Sequence, residues 1–282
     1  MYQKNLFLKP FVKWVGGKRQ LLDVITNNLP KNFNTYYEPF IGGGAVFFDL
    51  QHTPSLINDY NIELINVYKT IRDNIDELIE ELKKHSMNNS KDYYLEIRAW
   101  DRTDNYSKRT NVERAARFIY MNKTGFNGLY RVNKNNQFNV PYGKYKNPNI
   151  VNEGLLREVS DFLNTDGIEI TSGDFEKAVK DAKAGDFIYF DPPYAPLDVN
   201  LKNFVGYTDN GFGYDEQVRL RDLFVELDKK GCYVMLSNSS SEIIHELYKD
   251  YKDTTLIVGA TRAVNSNAAG RGKVDEVIVK NY

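Results

Sequence analysis

Asp191-Pro192-Pro193-Tyr194 is the segment whose residue types are best suited to chemistry. It follows the apolar run 187–190, which predicts a buried strand whose carboxyl end opens into this tetrapeptide. Two consecutive prolines fix φ and remove two backbone N–H donors, so the turn offers only acceptors, namely the carboxylate and the neighbouring carbonyls. Such acceptors suit an amino group that loses hydrogens while its nitrogen attacks an electrophile, and Tyr194 provides a ring for stacking on a planar substrate. The simpler interpretation, a loop that ends a strand, leaves the acid and the tyrosine unexplained.

A glycine loop at residues 40–44 has the features of a nucleotide site. It lies between a predicted strand and a predicted helix, so its backbone can approach a ligand closely with helix N–H groups behind it. Asp59 ends the next predicted strand, where an acid can accept hydrogen bonds from both ribose hydroxyls. Asp174 ends the third strand and is placed to meet an adenine amino group, with Phe175 able to stack on the ring. Taken singly, each of these residues has an alternative interpretation as a helix cap or a core residue.

The elements that must position these residues alternate between strand and helix, which predicts an α/β fold with a doubly wound sheet. Predicted strands lie at 36–40, 55–59, 168–170, 187–190, 233–236, 255–258 and 276–279, and predicted helices include 61–84, 216–230 and 241–249. Residues 85–150 interrupt this alternation, and 131–140 is typical of a hairpin tip. We therefore predict a catalytic domain made of 1–60 and 160–282 and a polar, basic insertion at 61–159.

The charge of the chain is unevenly distributed. Its 282 residues are 41% hydrophobic and 27% charged, with a formal net charge of −1, which is an ordinary globular composition. However, no Asp or Glu lies between Glu113 and Glu153. The basic residues of that segment are Arg114, Arg117, Lys123, Arg131, Lys134, Lys144 and Lys146. A concentration of positive charge predicts a cationic face that contacts a polyanion such as nucleic acid.

The composition disfavours several other classes of protein and of site. The single cysteine, Cys232, can form no disulfide within the chain, so a reducing cytoplasm is the expected setting. The apolar runs are far shorter than the roughly 20 residues of a membrane helix, and no secretory signal is visible. His52, His85 and His245 stand apart from one another, so we predict surface histidines and no metal site.

Taken together and in this order, the motifs resemble those of the Dam-type DNA N6-adenine methyltransferases over nearly the whole chain. Residues 14–18 resemble the methionine-binding motif of that family, residues 38–44 its S-adenosylmethionine loop, and residues 191–194 its catalytic motif. Residues 126–131 and 137–143 resemble the recognition segments of members that methylate GATC.

The resemblance implies S-adenosyl-L-methionine as cofactor and double-stranded DNA as partner. It also implies a Rossmann-like methyltransferase sheet with an inserted, mainly helical target-recognition domain that carries a β-hairpin. The implied cofactor contacts are Trp14, Gly17, Lys18, Phe40, Gly42, Gly44, Asp59, Asp174, Phe175 and Asp191. The implied DNA contacts are Lys13, Phe126, Asn127, Leu129, Arg131, Asn139, Pro141 and Tyr145, and the implied catalytic residues are Asp191, Pro192, Pro193 and Tyr194. A monomer is favoured, and the stretch 197–213 matches the family least.

The predicted chemistry is methyl transfer to an exocyclic amine whose lone pair is delocalised into the adenine ring. Asp191 and the carbonyl of Pro192 would accept the two N–H bonds and stabilise the positive charge that develops on nitrogen. The sulfonium methyl group is already activated, so no metal or covalent intermediate is required. Because the amine is out of reach inside a duplex, the adenine is predicted to flip out, with Tyr194 stacked on it and Phe126 filling the gap.

Three alternatives remain open from the sequence. An amino methyltransferase acting on cytosine N4 or on RNA adenine would share the design, although a neutral Ser or Asn is commoner there than Asp191. A NAD-dependent dehydrogenase would share the glycine loop and Asp59, but not the tetrapeptide or the basic segment. A catalytically silent DNA-binding protein need not retain both motifs. Whether the chain accompanies a restriction nuclease or acts alone is also open.

Overall fold

The computed structural model describes residues 4–16, 18, 21–197, 211–261 and 273–282 of the chain. Its strands are β1 (Tyr36–Glu38), β2 (Ser55–Asp59), β3 (Ile168–Ser172), β4 (Phe187–Phe190), β5 (Tyr233–Ser239), β6 (Leu256–Thr261) and β7 (Lys273–Lys280). Its helices are α1 (Leu22–Asn27), α2 (Ala45–Leu50), α3 (Ile62–Asp73), α4 (Ile75–Met87), α5 (Lys91–Ala99), α6 (Asn111–Thr124), α7 (Glu153–Leu163), α8 (Phe175–Ala178), α9 (Tyr214–Lys229) and α10 (Glu242–Leu247).

Within these ranges the strands form a seven-stranded sheet in the order β3-β2-β1-β4-β5-β7-β6. β1 is parallel to β2 and β4, and β4 is parallel to β5, whereas β7 is antiparallel to both β5 and β6. The predicted α/β class is confirmed, and the sheet is mixed because of β7. The strand order reverses at β1 and β4, whose carboxyl ends therefore flank a topological switch point, where ligands bind in open α/β sheets.

Local sequence explains strand β4 and the starts of two of the helices. All four residues of β4 are apolar or aromatic and buried, as expected for a central strand covered on both faces. Helix α3 begins at Asn61, whose side chain accepts a hydrogen bond from the N–H of Leu64. Helix α6 begins with a reciprocal capping box between Thr110 and Glu113. The start of each of these helices is therefore set by its own sequence.

The chain divides into two compact units. The first comprises Met1–Lys18, Gly42–Gln51 and Asp59–Gly173, and the second comprises Arg19–Ile41, His52–Asn58 and Asp174–Tyr282. Aromatic rings fill the first core, including Phe11, Phe47, Phe48 and Tyr68. The second core is largely aliphatic and includes Ile188, Leu220, Phe224, Val234, Leu236 and Val277. The predicted insertion 61–159 lies within the first unit, and its boundaries as a domain stay a prediction.

Several sequence-based predictions can be compared with the elements directly. The strands at 55–59 and 187–190 are confirmed with those bounds. The helical stretch 61–84 is two helices, because the backbone leaves the helical conformation at Asn74. The prediction of surface histidines is wrong for His85, which is fully buried with its ring stacked on Tyr120 at 5.0 Å. Burial lowers the pKa of His85 to about 4, so the ring is neutral at neutral pH.

Neither a membrane-spanning helix nor a cluster of metal ligands is present in the described residues. No helix in those ranges is long and apolar enough to cross a membrane. The same residues contain no group of three or more His, Cys, Asp or Glu side chains that could hold a metal ion.

Cys232 is a buried free thiol whose pKa is raised by burial to about 11, which makes it a poor nucleophile.

Candidate functional site

The glycine loop is shaped by two residues with positive φ, Gly42 at 47° and Gly44 at 73°. A Cβ atom on Gly42 would lie 2.6 Å from Cδ1 of Trp14, so the indole packs directly on the loop backbone. Gly44 is equally closed to a side chain, since its Cβ would lie 2.7 Å from the hydroxyl of Tyr68. The loop therefore requires glycine both for its φ angles and for the close approach of these rings.

Asp59 ties the glycine loop to the end of β2. Its Oδ2 accepts a hydrogen bond from the Gly42 N–H at 3.0 Å, and its Oδ1 accepts one from the Asn61 N–H at 2.9 Å. Burial raises the pKa of the Asp59 carboxyl, and the N–H groups of Asn61, Gly42 and Tyr60 oppose that shift. A carboxylate has about four lone-pair sites, so Asp59 keeps acceptor capacity for a further donor while it holds the loop. The sequence predicted that Asp59 binds a ligand, but not that it holds the glycine loop.

Trp14 and Lys18 belong to the same short motif, of which Gly17 lies outside the described residues. The Trp14 ring stacks on Tyr130, with centroids 5.7 Å apart and 23° between the planes. Lys18 is 5% exposed, and its Nζ donates to the carbonyl oxygen of Gly16 at 2.7 Å. The indole therefore packs against both the glycine loop and a second aromatic ring.

Asp174 and Phe175, at the start of α8, have partners within the protein. Asp174 accepts from the Glu176 N–H at 3.0 Å, and its two oxygens accept from Arg219 at 3.1 and 3.2 Å. The Arg219 guanidinium lies 4.9 Å from the centroid of the Phe175 ring. Phe175 is 4% exposed and packs against Phe40 at a centroid distance of 5.3 Å. In the protein alone, Asp174 is therefore a helix cap and Phe175 is a core residue. Their contact with adenine stays a prediction.

The 191–194 turn begins where β4 reaches the carboxyl edge of the sheet. Asp191 is half-buried there, Pro192 is buried and Pro193 is exposed. The Tyr194 hydroxyl donates to Oε2 of Glu276 on β7 at 2.8 Å. Burial, and then the negative charge of Asp191, raise the pKa of Tyr194 well above its ordinary value, so the phenol stays protonated. Tyr194 is thus a neutral ring with a fixed hydroxyl, which suits stacking rather than proton abstraction.

Seven of the eight residues predicted to face DNA lie in one loop, which we call the recognition loop (residues 126–145), and the eighth is Lys13. Its two arms are joined by backbone hydrogen bonds from the Phe126 N–H to the Pro141 carbonyl at 2.8 Å and from the Asn139 N–H to the Arg131 carbonyl at 3.0 Å. The motifs that resemble the recognition segments of GATC methyltransferases are therefore neighbours in space as well as in sequence.

The tip of the recognition loop coincides with the predicted hairpin at 131–140. Val132 and Phe138 form an isolated antiparallel bridge. Between them, Oδ1 of Asn133 accepts from the N–H groups of Asn135 at 2.9 Å and Gln137 at 3.0 Å. The reversal is present, with an isolated bridge in place of regular strands.

Lys13 is joined to the recognition loop through Asn122 of α6. The Lys13 N–H donates to Asn122 Oδ1 at 2.9 Å, and Asn122 Nδ2 donates to the carbonyls of Lys13 at 2.8 Å and Gly128 at 2.9 Å. Lys13 Nζ lies 5.5 Å from the centroid of the Tyr145 ring. Burial, and then the charge of Lys13, lower the pKa of Lys123 to about 8. These contacts bring both ends of the recognition loop to Lys13.

Exposure of the recognition loop is high at the positions predicted to touch DNA. Phe126 is 50% exposed although its side chain is large and apolar. Asn127 is exposed with a φ of 56°, and Leu129 is half-buried. Arg131 is exposed, and its Nε donates to Asn139 Oδ1 at 2.7 Å, which orients the guanidinium.

Fewer basic side chains of the acid-free segment 114–152 are available to DNA than their number in the sequence suggests. Arg114 forms an ion pair with Glu63, and Arg117 forms one with Asp101 at 2.8 Å. Arg117 is also buried, with 6% of its surface exposed. Both acids lie outside the acid-free segment, so counting along the sequence could not pair them. Other basic residues of the segment, among them Lys134, Lys144 and Lys146, are exposed.

Known proteins resemble the chain over its length. The family described as D12 class N6 adenine-specific DNA methyltransferase matches residues 14–264. The type II methyltransferase M1.LlaDCHI of Lactococcus lactis subsp. cremoris is 54% identical, covering 100% of this chain and 99% of that protein. The type II methyltransferase M.MjaIII of Methanocaldococcus jannaschii is 40% identical (98% and 99% covered), and the DNA adenine methylase of Vibrio cholerae is 36% identical (96% and 95% covered). The chain belongs to the D12 class N6 adenine-specific DNA methyltransferase family.

Membership of this family identifies an enzyme that acts on DNA and uses S-adenosylmethionine as methyl donor. It rules out the NAD-dependent dehydrogenase that shares the glycine loop and Asp59. It is also consistent with the position of the 191–194 turn at the carboxyl edge of the sheet.

Sequence reasoning missed several residues that contact the site of this methyltransferase. Glu276 accepts from the Tyr194 hydroxyl, and Arg219 donates to Asp174. Gln217 and Asn238 bond to the backbone of the segment that follows Asp191. A signal was present for Asn238, which follows the apolar run 233–236 after one serine, much as Asp191 follows the run 187–190. Gln217 and Arg219 lie in an amphipathic helix, where polar residues are ordinarily attributed to the solvated face.

Proposed function

We propose that this methyltransferase transfers a methyl group to N6 of adenine within GATC in double-stranded DNA, after the adenine has flipped out of the duplex. The observation that carries the proposal is the position of the 191–194 turn at the carboxyl end of β4, where carbonyl and carboxylate acceptors adjoin the neutral phenol of Tyr194. The GATC target is supported by the recognition segments, whose residue types resemble those of GATC-specific members and whose arms are paired in the recognition loop.

The residues of the glycine loop and its surroundings fit S-adenosylmethionine. The loop backbone is closed to side chains, Asp59 has acceptor capacity for a ribose hydroxyl, and Lys18 supplies a positive charge for a carboxylate. When bound, S-adenosylmethionine supplies a methyl group that its sulfonium has already activated. The proposed contacts are Trp14, Gly17, Lys18, Phe40, Gly42, Gly44, Asp59, Asp174, Phe175 and Asp191. Among them Asp174 would share its oxygens with Arg219.

The chemistry assigned to the turn is electrostatic and geometric. The Asp191 carboxylate accepts an N–H bond from the adenine amine, and the Pro192 carbonyl accepts the other. Both acceptors favour a tetrahedral nitrogen with its lone pair available, and the carboxylate stabilises the charge that develops there. Tyr194 stacks on the adenine, and its hydroxyl bond to Glu276 fixes the rotation of the ring. These residues prepare the amine, whose nitrogen bonds the methyl carbon as the bond from sulfur to that carbon breaks. The surplus proton of the methylated amine then leaves to Asp191 or to water, so no proton needs to pass through Tyr194.

Base flipping and DNA contact are assigned to the recognition loop and Lys13. Phe126 is exposed and apolar, which suits a side chain that fills the gap left by a flipped base. Arg131 has the planar fork that matches the two major-groove acceptors of guanine. The proposed DNA contacts are Lys13, Phe126, Asn127, Leu129, Arg131, Asn139, Pro141 and Tyr145.

A type II role, in which methylation protects DNA from a partner nuclease, is favoured by the relative that is 54% identical over the whole chain and is named a type II methyltransferase. The DNA adenine methylase of Vibrio cholerae is less similar, at 36% identity. We therefore propose the protective role in preference to an enzyme that acts alone.

The function is tested by incubating the purified protein with labelled S-adenosylmethionine and plasmid DNA, followed by mapping of the modified base. We expect N6-methyladenine at GATC and no label in a matched plasmid without GATC. Label in cytosine, in RNA only, or at adenines regardless of sequence would overturn the target assignment. The Asp191→Ala protein serves as the control for contaminating activity.

A further inference from the structure

The two prolines leave the catalytic turn (residues 191–194) with few backbone donors by which the protein can hold it. Pro192 and Pro193 have no N–H group, so this stretch cannot be held through the donors that normally fix a turn. A chemically competent turn nevertheless needs its acceptors fixed to a fraction of an ångström. The backbone groups available for holding it are carbonyl oxygens and the N–H groups that follow the prolines.

Three side chains take hold of those groups. Gln217 Nε2 donates to the Pro193 carbonyl at 3.0 Å. Asn238 Oδ1 accepts from the Ala195 N–H at 3.0 Å, and the Ser239 hydroxyl donates to the Ala195 carbonyl at 2.6 Å. Helix α9 supplies the first contact and the end of β5 supplies the other two.

The two amides are also bonded to each other, and the direction of every bond is determined. Asn238 Oδ1 accepts from the backbone N–H groups of Ala195 and Ser239, the latter at 2.8 Å, so that atom must be the oxygen. The opposite atom, Nδ2, then donates to Gln217 Oε1 at 3.1 Å. The Nε2 of Gln217 therefore points toward Pro193. Backbone N–H groups thus orient both amides of this relay, which we define as Asn238 and Gln217, and flipping either amide would break its hydrogen bonds.

Burial makes the relay rigid. Gln217, Asn238 and Ser239 each have 0% of their surface exposed, so water cannot replace a lost bond. The strand register explains the placement, because the parallel pairing of β4 and β5 ends with Phe190 opposite Leu236. Asn238 therefore lies two residues beyond the last pair, alongside the prolines.

We propose that Gln217 and Asn238 are positioning residues for methyl transfer, which hold the catalytic turn through Pro193 and Ala195. This proposal rests on the proposed function of Asp191 and Tyr194. Neither amide needs to touch DNA or the cofactor in order to act. Their loss should therefore lower kcat, whereas KM for S-adenosylmethionine and the affinity for DNA should change little.

The test compares two asparagines whose side-chain amides form hydrogen bonds at opposite ends of β5. Asn281 accepts from the Val234 N–H at 2.8 Å and donates to the Cys232 carbonyl at 2.8 Å and to Asp228 at 2.7 Å, at the amino end of the strand. Asn238→Leu and Asn281→Leu each remove a comparable set of bonds, so both should lower the denaturation midpoint. Only Asn238→Leu should lower kcat, by at least about tenfold, with KM and DNA affinity within about twofold.

A conservative variant supplies a readout that a purely structural role would not give. In Asn238→Asp, the protonated carboxyl can still accept from Ala195 and donate to Gln217, whereas the ionised form presents oxygen to oxygen. Because burial raises a carboxyl pKa, this variant should approach wild-type kcat near pH 6 and lose activity as the pH rises toward 9. Gln217→Met, which keeps the shape but not the donor, should lower kcat at every pH.

Amide hydrogen exchange of the peptide containing Ala195 separates the two proposals. Exchange at Ala195 should accelerate in Asn238→Leu and stay slow in Asn281→Leu. Equal kcat losses in both leucine variants, or unchanged Ala195 exchange in Asn238→Leu, would overturn the positioning role. If the wild-type protein methylated no adenine in DNA, the proposed function would fail, and Ala195 exchange would still decide whether these amides hold the turn.

Discussion

The catalytic turn and the recognition loop differ in how exposed the side chains are on which each depends. The turn is held from outside by side chains with no exposed surface, Gln217 and Asn238. The recognition loop is also held from outside, for example by Arg102, which donates to the Phe138 carbonyl at 2.6 Å, but it leaves Phe126 50% exposed and Arg131 exposed as well. The difference follows from the two tasks. Groups that stabilise a transition state must be positioned before the substrate arrives, whereas groups that contact DNA must remain accessible to it.

The same comparison predicts different costs for mutations. A buried amide that loses its partner costs about 1–3 kcal/mol of folding free energy, because water cannot reach the group left behind. An exposed side chain such as Phe126 has no such penalty, so its removal should leave stability nearly unchanged. Substitutions of the amides that hold the turn should therefore lower both folding stability and the rate of methyl transfer. Substitutions of exposed side chains in the recognition loop should change only the binding and methylation of DNA.

The largest effect is expected for Asp191→Ala, which removes the charged acceptor of the catalytic turn. The rate of methyl transfer should fall by at least about 10², because the charge that develops on the amine loses its stabilising carboxylate. Label incorporation at saturating S-adenosylmethionine measures this effect. Asp181→Ala, which removes an exposed acid of the same unit, should keep full activity. Activity of Asp191→Ala within a few-fold of wild type would remove the turn from the chemistry.

A smaller, sequence-dependent effect is expected for Arg131→Ala. If the guanidinium contacts guanine, its loss should raise the transition-state free energy for methylation of GATC by about 1–3 kcal/mol, which lowers the methylation rate. The methylation rate at sites altered at that base pair should fall far less. The matched control is Lys134→Ala at the exposed tip of the same loop, which should weaken all sites alike and reduce the salt slope by about one. A uniform loss for Arg131→Ala across duplexes with one mismatch would assign it to phosphate instead.

Much of the fold was predictable because its central strands are apolar runs with clear ends. The strand at 187–190 has four buried residues between Asp186 and Asp191, so pattern and bounds agree. The break at Asn74 was not predictable from periodicity, since the apolar spacing continues on both sides of it. His85 was misplaced, although it follows Leu78 and Leu82 at intervals of seven and three residues, which is the spacing of one helix face.

The candidate site was predictable where a residue type carries its own chemistry, and not where the role depends on partners far along the chain. Asp191 and Asp59 end predicted strands and were identified on that basis. The contact of Gln217 with Pro193 spans 24 residues, and that of Asn238 with Ala195 spans 43, so no local pattern reports either. For the same reason, the ion pair of Arg117 with Asp101 was invisible to a count of charges.

Gly42→Ala tests whether the glycine loop shares the rigidity of the catalytic turn. An alanine there would combine a φ of 47° with a Cβ atom 2.6 Å from the Trp14 ring. Strain of about 1–3 kcal/mol should weaken S-adenosylmethionine binding by about tenfold in calorimetry. Gly154→Ala is the control, because nothing lies within 4 Å of its Cβ and the residue is in helix α7. That variant should be neutral or stabilising by up to about 1 kcal/mol, and equal effects from both would remove the special role of Gly42.

The smallest effect concerns Lys123, a half-buried cation in the last turn of helix α6, just before the recognition loop. Its pKa is lowered to about 8 by burial and by Lys13, whereas an unfolded lysine titrates near about 10.4. Between these values the unfolded chain holds a proton that the folded chain has lost, so this lysine destabilises the fold most below about pH 8 and less as the pH rises. The stability of the wild type relative to Lys123→Met should therefore be greater at about pH 9.5 than at about pH 7, as measured by urea midpoints. The difference between the two proteins isolates this group, because the other titrating residues are shared. An unchanged difference would show that the Lys123 ammonium is as hydrated as the exposed lysines of the recognition loop, and that burial does not lower its pKa.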